Sequence, residues 1–94
     1  MTLTEYKTST IHYFTDELGR KQGEFKAWRD NGQSWKHYHF VNGQRHGEYK
    51  HWLGDGQLSE HSIYVHGNNL GVNPANLTPK EKFILTIKHG VNWL

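Results

Sequence analysis

Histidine is the residue type in this chain with the most chemical scope, and it occurs eight times. His37 and His39 stand two apart on a stretch expected to be a strand, so both point to one face. His61 lies 24 residues beyond His37 at the same place in a repeated segment. Three imidazoles brought together could hold a divalent transition metal. Against that, no Asp, Glu or Cys stands at ligand spacing with them, and the plainer reading is solvated or edge-stacked rings. No cofactor is expected. Glu24 and Glu48 could act as paired carboxylates, but each is followed by an aromatic residue and then Lys26 or Lys50. Cross-strand Glu–Lys pairing, worth roughly 0.2–1 kcal/mol, accounts for them. Ser34, Ser59 and Ser62 lack a nucleophile-elbow context. The glycines fall in hairpin turns and not between a strand and a helix, so they build no phosphate loop. No catalytic residue is expected.

The aromatic residues are the stronger lead. They make up 14% of a chain whose mean hydropathy is only −0.89. Each large ring buries about 150–250 Å². Phe25 and Trp28 are three apart, as are Tyr49 and Trp52, so each pair offers rings to both faces of a sheet. Phe25, Tyr49, Trp28 and Trp52 recur and read first as scaffold. Trp35 and Tyr38 do not recur, being replaced by Ser59 and Ser62. The residues expected to meet a partner are Trp35, Tyr38, Trp28 and Trp52, with Trp93 and Leu94 at the C-terminus.

A 24-residue repeat positions these side chains. Residues 19–42 and 43–66 share nine identities: Gly19/Gly43, Gly23/Gly47, Glu24/Glu48, Lys26/Lys50, Trp28/Trp52, Gly32/Gly56, Gln33/Gln57, His37/His61 and Val41/Val65. Such a period marks a stacked supersecondary array, in which recurrence maintains scaffold. Each unit reads as strand, turn, strand, with Asn31-Gly32 or Asp55-Gly56 at the turn. Asn42-Gly43 leads into the next unit. The fold expected is mainly β, an antiparallel meander of hairpins over residues 1–72. Residues 1–18 read as a lead-in, with one strand from Tyr6 to Phe14. Phe14, Phe40 and Tyr64 are expected to be equivalent.

Residues 73–94 change character. Asn73 to Asn76 is a linker. Thr78-Pro79-Lys80-Glu81 is a helix start with a capping box, and Gly90 is a stop. Phe83, Ile84 and Ile87 form one apolar face, expected to pack on the sheet. Trp93 and Leu94 are expected to pack on the sheet or a partner.

Ninety-four residues make one domain. There is no cysteine, and the net charge of +2 is interspersed, so nucleic-acid binding has little footprint. Residues 1–5 lack signal-peptide features and no apolar run reaches a membrane span. A soluble, cytoplasmic protein is expected, with no membrane contact.

The pattern Gly-x-x-x-Gly-Glu-[Phe/Tyr]-Lys-x-Trp-x-x-x-Gly-Gln resembles the MORN-repeat variant family, over about residues 12–71. It also resembles bacterial antitoxin-type proteins built from such repeats. The resemblance implies a β-hairpin sheet used for protein contact. It further implies neutralisation of a toxin or defence protein by direct binding, in a bacterial or phage setting. It falls on Gly23/Gly47, Phe25/Tyr49, Trp28/Trp52 and Gly32/Gly56, which are scaffold positions. The other classes open to the sequence are a nucleic-acid binder, a metal- or small-ligand-binding protein, and a structural homo-oligomer.

Overall fold

The computed structural model describes residues 2–91 and 93. Eight strands form one antiparallel sheet: β1 (Thr4–Lys7), β2 (Ile11–Thr15), β3 (Gly23–Trp28), β4 (Ser34–Val41), β5 (Gln44–Arg45), β6 (Gly47–Trp52), β7 (Leu58–Val65) and β8 (Asn68–Asn69). A 3-10 turn (Pro74–Asn76) and helix α1 (Pro79–His89) follow. The spatial order β1-β2-β3-β4-β6-β7-β8, with β5 on β4, is a meander. The molecule is mainly β with one short C-terminal helix, as the repeat predicts. The described residues measure 38 × 37 × 18 Å, a single sheet with the C-terminal segment packed on part of it near β7.

The strand register corrects the reading of the first 18 residues. Thr8, Ser9 and Thr10 interrupt the expected long strand, and β1 and β2 close into a hairpin of their own. Glu5 pairs with Phe14, Tyr6 with Tyr13 and Lys7 with His12. Glu24 pairs with His39, Phe25 with Tyr38 and Lys26 with His37. Glu48 pairs with Ile63, Tyr49 with Ser62 and Lys50 with His61. The first hairpin is therefore a third copy of the unit, disguised by a shorter turn. Phe14 matches His39 and Ile63, one residue away from the equivalence expected. Thr15 is the true counterpart of Phe40 and Tyr64, since these three pair with Lys21, Arg45 and Asn69.

The turns explain why the chain repeats. Asn42 and Gly43 have φ of 52° and 80°, and His66 and Gly67 have 48° and 86°. Two successive positive φ values make the two-residue hairpin turn whose twist suits antiparallel strands. Each such turn is tied to the unit before it. Gly43 N–H donates to the Lys21 carbonyl and Gly67 N–H to the Arg45 carbonyl. The Gln22 side chain accepts from Asn42 N–H at 2.9 Å, and His46 Nδ1 accepts from His66 N–H at 3.0 Å.

Between β2 and β3 the longer turn is held by Asp16. Its carboxylate accepts from Leu18 N–H, Arg20 N–H, Arg20 Nε and Gln22 Nε2 at 2.8–3.0 Å. The Gln22 amide is the largest influence. Together with the Arg20 and Leu18 donors it outweighs burial and holds Asp16 down to about 2, from an ordinary 3.8. A depressed carboxyl stabilises the fold above its unfolded value and ceases to do so as pH falls through the folded one. Asp16→Asn is expected to lower the melting midpoint at pH 7 and to flatten its decline between pH 4 and 2. Parallel acid-melting curves for parent and variant would contradict this.

Helix α1 forms for the reasons the sequence gives. Thr78 Oγ1 accepts from Glu81 N–H, the Glu81 carboxylate accepts from Thr78 N–H, and Gly90 closes the end at φ 67°. Its placement is not the one expected. No residue of α1 is buried. Phe83, Ile84 and Ile87 face outward, with Phe83 64% and Ile87 69% exposed. The segment reaches the sheet through the buried Pro74 and Val91 and through the His89 carbonyl, which accepts from His46 Nε2 at 2.7 Å. No helix among the described residues is long and apolar enough to cross a membrane.

Candidate functional site

Alternation of side chains gives the sheet two unlike faces. On one, rings form a continuous row: Tyr6, Tyr13, Phe25, Tyr38 and Tyr49. Successive centroids are 4.9, 5.6, 5.5 and 4.3 Å apart, and interplanar angles do not exceed 29°. The row ends at Ser62, where Tyr64 tilts onto Tyr49 at 5.5 Å. Two repeat-equivalent cations lie over it. Lys21 Nζ sits 5.6–5.9 Å from the Tyr13, Phe25 and Phe40 centroids. The Arg45 guanidinium sits 5.0–5.5 Å from Tyr38, Tyr49 and Tyr64. Tyr38 lies within this row and is 7% exposed, with its hydroxyl 3.2 Å from that of Tyr49. Burial, and then the Tyr49 hydroxyl, push its phenol well above the ordinary range. Tyr38 is thus scaffold, and it leaves the set of partner-facing residues.

The opposite face carries the histidines. Lys7, His12, Lys26, His37, Lys50 and His61 alternate as cross-strand neighbours over six strands. Each histidine leans toward the glutamate of its own unit: His12 to Glu5 at 2.9 Å, His37 to Glu24 at 3.9 Å, and His61 to Glu48 in a short contact. Lys26 and Lys50 reach Glu24 and Glu48 along their own strands, at 3.5 and 3.8 Å, not across strands as expected. Lys50 stands between His37 and His61, which holds those rings about two strand spacings, roughly 9–10 Å, apart. His39 turns away, its Nδ1 donating to the His46 carbonyl at 3.1 Å. The His37–His39–His61 metal cluster is therefore not formed. Among the described residues no three His, Asp or Glu side chains group to hold a metal ion.

Burial is the leading influence lowering the His37 pKa below its ordinary 6.5. Lys26 and Lys50 act in the same direction, opposed by Glu24 and Glu48. Folding therefore favours the neutral ring. The unfolded chain takes up this proton first as pH falls, so the contribution of His37 is full above 6.5 and shrinks below it. The midpoint of the parent is expected to drop more steeply than that of His37→Gln from pH 6.5 to 5. Equal slopes would sink this assignment.

His51 and Ser59 resemble a catalytic pair, with Nδ1 and Oγ 2.9 Å apart. The one hydroxyl proton of Ser59, however, is donated to the His51 carbonyl at 3.0 Å. The imidazole is then the donor to Ser59 and not its base.

The remaining tryptophans are at the hairpin ends. A β-bulge between Ala27 and Trp28 takes Trp28 out of the regular register, and Trp52 sits at the same break between His51 and Trp52. Trp28 and Trp35 line a shallow pocket of about 280 Å³ with Thr10, Ile11, Arg29 and Asp30. The Arg29 guanidinium lies 5.3 Å from the Trp35 ring centroid, and its Nη2 donates to the Trp52 carbonyl at 2.9 Å. Trp28 also shares a second pocket with Trp52, Lys26 and His37. Trp93 folds back on its own helix, its Nε1 donating to Thr86 Oγ1 at 2.9 Å and its ring 5.3 Å from Lys82 Nζ. Leu94 lies outside the described residues.

The surface not anticipated is a groove at the end of the array. Leu70, Val72, Leu77, Ile84 and Leu85, with Glu81 at the rim, enclose about 440 Å³ with mostly apolar walls. Phe83 and Ile87 stand exposed on the same helix, beside Ile84 and outside the groove lining. The sequence did hold a signal: Leu70 and Val72 are apolar residues placed just beyond the last full repeat, residues 43–66.

Fold and surfaces together define a β-hairpin repeat sheet, built from three near-equivalent units, with an appended helix. Comparison with known protein families, with curated proteins and with solved structures finds no match.

Proposed function

We propose that this chain is a non-enzymatic protein-binding module that neutralises a partner protein by direct contact, in the manner of the antitoxin-type repeat proteins it resembles. The observation that carries the reading is the apolar surface beyond the last full repeat. Leu70, Val72 and Ile84 are each at least 40% exposed and line one groove, and Phe83 and Ile87 of the same helix are 64% and 69% exposed beside Ile84. Contiguous exposed apolar surface on a small protein commonly marks an interface. The Trp28–Trp35–Arg29 pocket supplies a second anchor of the residue types enriched at interface hot spots. Several side chains with chemical scope are engaged in the scaffold: His12 with Glu5, His61 with Glu48, and the Ser59 proton with a backbone carbonyl.

The test is capture on the immobilised chain from a lysate of its source cells, followed by reconstitution of the complex from purified components. One partner binding at one-to-one stoichiometry, with weakened binding to Trp35→Ala or to Phe83→Asp/Ile87→Asp, is the expected result. Failure of any captured protein to reconstitute would remove the reading. Self-association by light scattering in place of a partner would favour a structural homo-oligomer. The specific reason to look for it is the open edge of β1, whose four residues are all exposed.

A further inference from the structure

The charge of this molecule is unevenly placed. Residues 1–72 hold eight Lys and Arg against eight Asp and Glu and are neutral as a unit. Residues 73–94 hold Lys80, Lys82 and Lys88 against Glu81, so the entire +2 resides on the C-terminal segment. Lys80 precedes Phe83 and Ile84 by three and four residues, and Lys88 follows Ile84 by four, so both flank the exposed stripe. Both are exposed. The one acid is committed to the capping box, where the Thr78 backbone and side chain hold its carboxyl below the usual range. The inward side of the helix carries Lys82, Leu85 and His89, which are half-buried.

A second copy docked through this surface would set Lys80 and Lys88 against lysines. A segment carrying acidic residues beside an apolar stripe meets both requirements at once. Resting on the protein-binding reading above, we infer that the exposed α1 stripe receives an acidic amphipathic helix of the partner protein. The apolar side of that helix packs on Phe83, Ile84 and Ile87. Its carboxylates face Lys80 and Lys88.

The probe is a fluorescent designed helix of about 18 residues, long enough to be partly formed alone. It carries Leu at i, i+3, i+4 and i+7 spacing and Glu elsewhere, and a twin has Lys in place of Glu. Both are titrated by anisotropy against the full chain. The acidic peptide is expected to bind at roughly 1–100 µM and about tenfold or more tighter than its twin. Phe83→Asp/Ile87→Asp should weaken it by about tenfold, and Lys80→Glu/Lys88→Glu should reverse the preference between peptides. All four positions are exposed, so melting curves should show the variants folded. Equal binding of the two peptides, or acidic binding unchanged by the stripe variant, overturns the inference. So does Phe83-dependent dimerisation, or Phe83-dependent binding to anionic vesicles. If the captured partner is retained by the stripe variant but lost with Trp35→Ala, the protein-binding reading stands and this surface falls.

Discussion

Tyr38→Ala is expected to lower folding stability by about 3–5 kcal/mol, the range for deleting a buried aromatic side chain. A domain of this length holds roughly 5–14 kcal/mol in all, so the variant should be near unfolding at 37 °C. The effect is large because Tyr38 is central. Its ring contacts Phe25 on one side and Tyr49 on the other, and Arg45 lies over it. Tyr38→Phe keeps the stack and loses only the hydroxyl contact with Tyr49. It should cost about 0.5–1.5 kcal/mol. Urea unfolding of the three proteins reads the difference: the midpoint should shift far more for alanine than for phenylalanine, at similar slope. A loss under about 1 kcal/mol for Tyr38→Ala would mean the row is surface decoration and not the core.

That outcome matters for how the fold is stabilised at all. Most sheets bury one face against another layer. Here the C-terminal segment covers only part of the sheet, through Pro74 and Val91, and among the large side chains of the strands Ile63 is fully enclosed. Lateral stacking across strands takes the place of layer-on-layer packing. Stacked aromatic pairs contribute about 0.5–1.5 kcal/mol each beyond burial. Lys21 and Arg45 lie over the rings, each cation adding about 0.5–1 kcal/mol where it is solvated. Their recurrence at one repeat position follows from that role. A unit that ends in a ring row needs a cation over it.

Much of this architecture is legible in the sequence, because the period carries it. Nine identities over 24 residues place the strands, and Asn42-Gly43 predicts the two-residue turn that the φ values show. Thr78-Pro79-Lys80-Glu81 predicts the helix cap. The failures have physical causes. The first hairpin escaped notice because its turn is shorter and shifts the period, although Glu5-Tyr6-Lys7 repeats the Glu24-Phe25-Lys26 and Glu48-Tyr49-Lys50 pattern. Matching that tripeptide, and not the 24-residue spacing, would have found it. The replacement of Tyr38 by Ser62 in the next unit suggests a specificity position from sequence; in the structure it marks where the ring row ends. The stripe of α1 predicts a core face yet lies outward, because periodicity shows that apolar residues share a side, not which side meets the protein.

His46→Ala is expected to release the C-terminal segment at a cost of about 2–4 kcal/mol, from a cavity and two lost hydrogen bonds. His46 is 3% exposed and works from both ring nitrogens. A backbone N–H can only donate, so Nδ1, facing His66 N, carries no proton. A carbonyl can only accept, so Nε2, facing the His89 oxygen, carries one. One neutral ring thus joins a sheet turn to the end of α1. In the preceding unit Gln22 stands at the equivalent place: its Oε1 accepts from Asn42 N–H while its Nε2 donates to Asn42 Oδ1 and Asp16 Oδ2, so none of these partners is on a helix. His46→Gln should therefore keep the bond to His66 N–H and lose the helix contact. Hydrogen exchange distinguishes the two variants. In His46→Ala, protection should fall at His66 and through α1; in His46→Gln it should fall in α1 alone, with β1 to β4 unchanged in both. Loss of protection across the whole sheet would show His46 to be a general core residue. If the loss is confined as expected, His46 is what sets α1, and with it Phe83 and Ile87, in place. Both substitutions should then weaken partner binding without touching the partner.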